Sequence, residues 1–107
     1  MEVPEIDVEE FAARHEAGAF VLDVREDDEY LDGHVPGALH IPLGEVPERH
    51  AELPSGEPIL VICKSGGRSM RASEVLIANG IDATNVAGGT MAWIDSGRPV
   101  VEGEDPG

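Results

Sequence analysis

Cysteine and lysine each occur once in this chain, at Cys63 and Lys64, and only four residues are aromatic. One cysteine excludes an internal disulfide, a Cys-x-x-Cys redox pair and a thiolate-rich zinc site. Any covalent intermediate on its sulfur must therefore be resolved by an outside partner. Few aromatics leave the core to aliphatic packing, and an apolar share of 41% over 107 residues is enough for one core. No run reaches the roughly 20 apolar residues of a membrane span. The opening Met1-Glu2-Val3-Pro4-Glu5 lacks the basic and apolar regions of a signal peptide. A cytoplasmic protein with no membrane partner is expected. Basic residues are scarce as well: 7 against 22 acidic, a net charge of −15. Nucleic acid is a poor partner for such a chain, because phosphate binding needs a basic face. The excess acid reads as a solvated surface, and it also fits a high-salt environment.

What is present alternates between strand-like apolar runs and amphipathic helical stretches. Asp7 caps a first helix, with Glu10 placed to complete a capping box and Val8, Phe11 and Ala12 at helical spacing. Strand-like runs follow at 19–22, 38–41, 58–62 and 84–86. Between them lie helical stretches at 26–31, 46–53 and 69–79, the last stopped by Gly80, and a short helix at 91–94 comes last. Alternation of this kind predicts an α/β fold with a parallel sheet covered on both faces. One domain is expected over residues 1–101. The acidic, Gly/Pro-containing segment 102–107 is expected to fray.

Cys63 ends the apolar run Pro58-Ile59-Leu60-Val61-Ile62 and opens Lys64-Ser65-Gly66-Gly67-Arg68-Ser69. In a parallel α/β sheet, ligands collect outside the carboxyl ends of strands, and Cys63 lies at that edge. Gly66 and Gly67 allow backbone angles that let successive amides converge into an anion-binding nest. The following helix adds its positive end. Lys64, Arg68 and Arg71 are three of the seven basic residues, packed within eight positions. These surroundings favour thiolate over thiol. Lys64 and Arg68 are candidates for attracting an anionic substrate, whereas Arg71 is expected to pair on the helix surface with Glu74. Ser65 and Ser69 offer hydroxyls to a bound anion, and Ser69 is also placed to cap its helix.

The turn Cys63-Lys64-Ser65-Gly66-Gly67-Arg68-Ser69 resembles the active-site loop of the rhodanese family of sulfurtransferases. Asp23-Val24-Arg25 with Glu29, then Gly33-His34-Val35-Pro36-Gly37-Ala38 with Pro42, resemble that family's upstream signature, and Gly88-Gly89 with Trp93 resembles its C-terminal signature. The three motifs run in the family's order from about residue 20 to 97, and the resemblance is to its single-domain form. It implies a three-layer α/β/α fold with a five-stranded parallel sheet and helices on both faces. It also implies a two-step exchange through a Cys63 persulfide, with no cofactor or metal. A small anionic sulfur donor such as thiosulfate would load the sulfur, and cyanide, an external thiol or a protein acceptor would take it. The loop residues Lys64, Ser65, Gly66, Gly67, Arg68 and Ser69 would bind the substrate and stabilise the charged sulfur.

Two rival readings accompany this one. A rhodanese-like module that only binds a partner or senses redox state would ordinarily show a lost cysteine or a broken loop, and neither is present. Phosphatases and arsenate reductases of related fold carry a Cys-x5-Arg loop, one residue longer than the Cys-x4-Arg seen here; the shorter ring suits a sulfur atom. Asp23 and Arg25 are expected to support the site by holding the upstream turn, with Arg25 pairing with Glu29. His34 and Trp93 are expected to be structural. No protease-like Cys–His pair with His34 or His40 is required, because the loop itself activates the thiol.

Overall fold

A computed structural model describes residues 2–107. Four-residue strands form where β-branched and aliphatic residues run together: β2 at Phe20–Asp23, β4 at Ile59–Ile62 and β5 at Ala83–Val86. Short strands β1 (Glu5–Ile6) and β3 (Leu39–His40) close the two edges. Within the sheet the strands pair in parallel, in the order β1-β5-β4-β2-β3. Every residue of β4 and β5 is buried, as expected for central strands covered on both faces. The five-stranded parallel sheet of an α/β fold is thus present.

The helices are α1 (Val8–Glu16), α2 (Asp27–Asp32), α3 (Val46–Arg49), α4 (Gly67–Ala78) and α5 (Gly89–Asp95). The pleat of β4 divides the core. Ile59, Val61 and Cys63 join Leu22, Val24, Val46, Ala72 and Leu76 on one face, while Leu60 and Ile62 join Phe11, Val21, Tyr30 and Trp93 on the other. Leu76 is fully buried, and cutting it to alanine removes packing worth about 2–5 kcal/mol. Trp93 takes the core position expected of it, edge-on to Phe11, with its Nε1–H donating to Pro99 O at 2.7 Å.

Several details differ from the sequence pattern. β1 lies outside every predicted run, because Glu5–Ile6 is a two-residue edge strand with no apolar signature. It is held by the Asn85 amide on Pro4 O (2.8 Å) and the Ala87 amide on Ile6 O (2.9 Å). Asp7 does accept the Glu10 amide at 2.9 Å, but the Glu10 side chain pairs forward with Arg14 at 2.8 Å, so only half a capping box forms. Segment 102–107 does not stand free. Gly103 N–H donates to Leu31 O (2.9 Å), Gly37 N–H donates to Pro106 O (2.6 Å), and His34 Nε2 lies 3.0 Å from Asp105 O. Composition flags the charge of this segment but not the backbone partners waiting on α2 and the turn beyond it. His34 is fully buried in that turn, stacked on Tyr30 at 3.7 Å, which agrees with a structural role.

Candidate active site

Parallel register brings Asp23, His40 and Ile62 to one level at the carboxyl edge of the sheet, and Cys63 follows directly. The turn after Cys63 enters α4 at Gly67, two residues earlier than the sequence pattern predicts. Gly66 stands before the helix with φ +116°, a left-handed angle that side chains resist. Ser69 is therefore not the helix cap. It sits inside the first turn of α4, fully buried, with its hydroxyl facing the cysteine.

Cys63 is 1% exposed. The Gly66 amide donates to its Sγ at 3.1 Å and the Ser69 hydroxyl at 3.2 Å. Burial pushes the thiol pKa up. Opposing it are the Ser69 hydroxyl and the backbone amides of Ser69, Gly66 and Ser65, which together hold the thiol below its ordinary value.

The Gly88-Gly89 motif explains how the turn is kept open toward the sulfur. The Thr90 amide and hydroxyl donate to Cys63 O at 2.8 and 3.0 Å, and the Met91 amide donates to Lys64 O at 3.0 Å. The start of α5 thus takes up the turn's carbonyls and leaves its N–H groups for Sγ. So close an approach requires glycine: a Cβ on Gly89 would lie 2.5 Å from Cys63 O and 2.6 Å from Lys64 O.

The charged residues sort differently from the expected pairing. Arg25 does not pair with Glu29. It turns back onto fully buried Asp23, with Nη2 2.8 Å from Oδ2, and also donates to Gly33 O at 2.9 Å. Asp23 and Arg25 thereby brace the turn between β2 and α2. Glu29 instead receives both arms of Arg68, at 2.6 and 2.9 Å. Hydrogen bonding from Arg68 lowers the Glu29 pKa to about 2, and Glu29 raises that of Arg68 in return. Arg68 is therefore a clamp between α4 and α2 whose charge is matched. Lys64 is exposed, and neither it nor Arg71 makes an ion pair among the described residues, so the expected Arg71–Glu74 pair does not form. Lys64 lies on a shallow cavity of about 260 Å³ with Arg25, Thr90, Met91 and Ile94.

Two residues near the sulfur were missed by motif reading. Asn85 is fully buried and accepts the Ser69 hydroxyl at 2.5 Å, and its Nδ2 reaches Glu5 Oε2 at 2.8 Å and Gly66 O at 3.2 Å. Thr90 ties α5 to the cysteine carbonyl. An available signal for Asn85 was its amide in the middle of an otherwise strand-like run one turn before Gly88-Gly89.

Fold and site together define an α/β domain built around one hydrogen-bonded cysteine at the sheet's carboxyl edge. The family model described as a rhodanese-like domain matches residues 7–96. The chain belongs to this family, that of the rhodanese-like sulfurtransferases. A sulfurtransferase of Allochromatium vinosum is 33% identical over 105 residues, covering 95% of this chain and 98% of that protein. Thiosulfate sulfurtransferase 18 of Arabidopsis thaliana is 35% identical, covering 98% of this chain and 89% of that protein. The crystal structure of a rhodanese-related protein from Thermoplasma volcanium superposes with a TM-score of 0.86 at 35% identity, covering 92% of this chain and 97% of that one. Among the described residues, no helix is long and apolar enough to cross a membrane.

Proposed function

We propose that this chain moves one sulfane sulfur atom through a persulfide on Cys63. The thiolate attacks the outer sulfur of thiosulfate, the S–S bond of the donor breaks, and sulfite leaves with the electron pair. The charge carried by Sγ passes to the new outer sulfur. A cyanide ion or an acceptor thiolate then attacks that outer sulfur, and the Cys63 thiolate leaves. Each step conserves charge and needs no redox partner. Splitting the transfer in two is ordinary covalent catalysis.

The observation that carries this reading is the pair of donors on Sγ, the Gly66 amide at 3.1 Å and the Ser69 hydroxyl at 3.2 Å. The Gly66 amide is fixed before reaction and stabilises the sulfur anion without reorganising, as in an oxyanion hole, and the Ser69 hydroxyl lies within reach to add a second hydrogen bond. Ser65, Gly66, Gly67 and Ser69 form the cradle, and Asp23 with Arg25 supports the site by bracing the turn between β2 and α2. Lys64, which makes no ion pair among the described residues, draws the dianionic donor toward a surface that is otherwise acidic. Arg68 contributes mainly by holding Glu29.

Steady-state kinetics test the reading. Thiosulfate and cyanide should give thiocyanate with the parallel-line pattern of a ping-pong mechanism, and Cys63→Ser should give none. Intersecting lines would rule out a free persulfide intermediate, and thiocyanate formation by the variant would remove Cys63 from the reaction.

A further inference from the structure

Behind Ser69 lies a chain of side chains that no step above uses. Asn85 Nδ2 faces two groups that only accept, the Glu5 carboxylate and the Gly66 carbonyl. Its amide orientation is thereby fixed, and Oδ1 must face Ser69. Oδ1 only accepts as well. Ser69 has a single hydroxyl hydrogen, and two acceptors, Cys63 Sγ and Asn85 Oδ1, lie within its reach.

These constraints allow two complete arrangements. With a protonated thiol, S–H donates to Ser69 Oγ and the Ser69 hydrogen lies on Asn85 Oδ1, so each group is satisfied. With a thiolate, the hydrogen turns to Sγ, and the fully buried Oδ1 loses its donor. In a persulfide the charge has moved from Sγ to the outer sulfur, and the hydrogen is free to return to Asn85. We infer that the Ser69 hydrogen is a two-position switch that follows the charge on Sγ, with Asn85 as the positioning residue that draws it back when the sulfur is loaded. This deepens, and rests on, the reading of Cys63 as a persulfide carrier. Asn85 touches no substrate; it acts through Ser69 by making the bare thiolate less comfortable than the persulfide. A buried acceptor without its donor is destabilising.

The charged groups around this switch are Lys64 in the turn, the paired Arg68 and Glu29 from α4 and α2, and Glu5 from β1. None of them accepts the Ser69 hydrogen bond. Losing Asn85 also leaves Gly66 O with the Met70 amide, at 3.2 Å, so the cradle keeps that tie.

The sign of one substitution distinguishes the switch from a bracing role. In Asn85→Ala the Ser69 hydrogen has only Sγ to serve, so the thiolate gains. Iodoacetamide labelling of Cys63 should shift to lower pH, with the rate on the acid limb rising about three- to tenfold, the worth of one hydrogen bond. Loading from thiosulfate at alkaline pH should slow. In a Ser69→Ala background, the same Asn85 substitution should change the labelling midpoint little. If Asn85 merely braces the turn, its loss moves labelling to higher pH or leaves it unchanged, and either result overturns the proposal. An equal shift with and without Ser69 overturns it too.

Wild-type protein supplies a reading that does not depend on the variant folding. Selective labelling lights up two asparagine side chains, Asn79 and Asn85. The Asn85 amide resonances should titrate with the labelling midpoint of Cys63, Asn79 should not, and Ser69→Ala should remove most of the Asn85 movement. A stationary Asn85, or movement unchanged by Ser69→Ala, defeats the switch. These readouts need no sulfur donor, so failure here is distinct from failure of the persulfide reading.

Discussion

Gly89→Ala tests whether the start of α5 holds the cysteine turn in shape. Gly89 has φ +56°, and an added Cβ would meet Cys63 O at 2.5 Å and Lys64 O at 2.6 Å. Both obstacles are backbone, so no side chain can swing aside. The left-handed angle costs a residue with a Cβ about 1–2 kcal/mol. Relieving the clash separates α5 from the turn and breaks the hydrogen bonds that the Thr90 and Met91 amides donate to Cys63 O and Lys64 O, at 2.8 and 3.0 Å. With each bond worth about 0.5–1.5 kcal/mol, the whole loss is about 2–5 kcal/mol. Gly56→Ala is the control: its φ is +81°, yet nothing lies within 4 Å of the added carbon. That variant should lose only the conformational part, about 1–2 kcal/mol. Urea unfolding of wild type and both variants measures the difference, provided the slope with urea is shared. Thiosulfate turnover should fall in Gly89→Ala and hold in Gly56→Ala. Equal stability losses in the two variants, with turnover intact, would refute the claim that α5 shapes the turn.

Acid stability and substrate attraction give two further tests. Glu29 has its pKa lowered from 4.5 to about 2, chiefly by hydrogen bonding from Arg68. Its folded pKa lies below the unfolded one, so its contribution to stability is whole above about pH 4.5 and is lost as pH falls through about 2. Glu29→Gln should flatten the fall in unfolding free energy across that window, and an unchanged slope would show the Arg68 clamp to be idle in solution. Lys64→Ala should raise the KM for thiosulfate several-fold with kcat nearly kept, an effect that shrinks in high salt. Arg68→Ala should depress labelling of Cys63 by leaving Glu29 uncompensated, and adding Glu29→Gln should restore it. Failure of that restoration would give Arg68 a direct part at the sulfur.

The parts of this fold that reached the surface of the sequence are those with a local pattern. β4 is a continuous apolar run, α1 repeats at helical spacing after Asp7, and Cys63 sits where strand passes into a glycine turn. β1 was invisible, because two edge residues carry no periodicity and are fixed by the amides of Asn85 and Ala87 across the sheet. The docking of 102–107 was invisible for the same reason: its partners Leu31, His34 and Gly37 are distant in the chain. At the site, residue identity indicated the cradle but not the pairing of charges. Arg25 and Arg68 both had carboxylates within plausible reach, and only the fold gives Asp23 to one and Glu29 to the other. Ser69 fitted a helix cap until Gly66 took the left-handed position and started α4 two residues sooner.

Whether Cys63 carries sulfur is read most directly by intact-mass spectrometry of the protein after thiosulfate treatment. Wild type should gain the mass of one sulfur atom and lose it on adding cyanide, while Cys63→Ser should gain nothing. An unmodified wild type, or the same gain on the serine variant, would contradict the account.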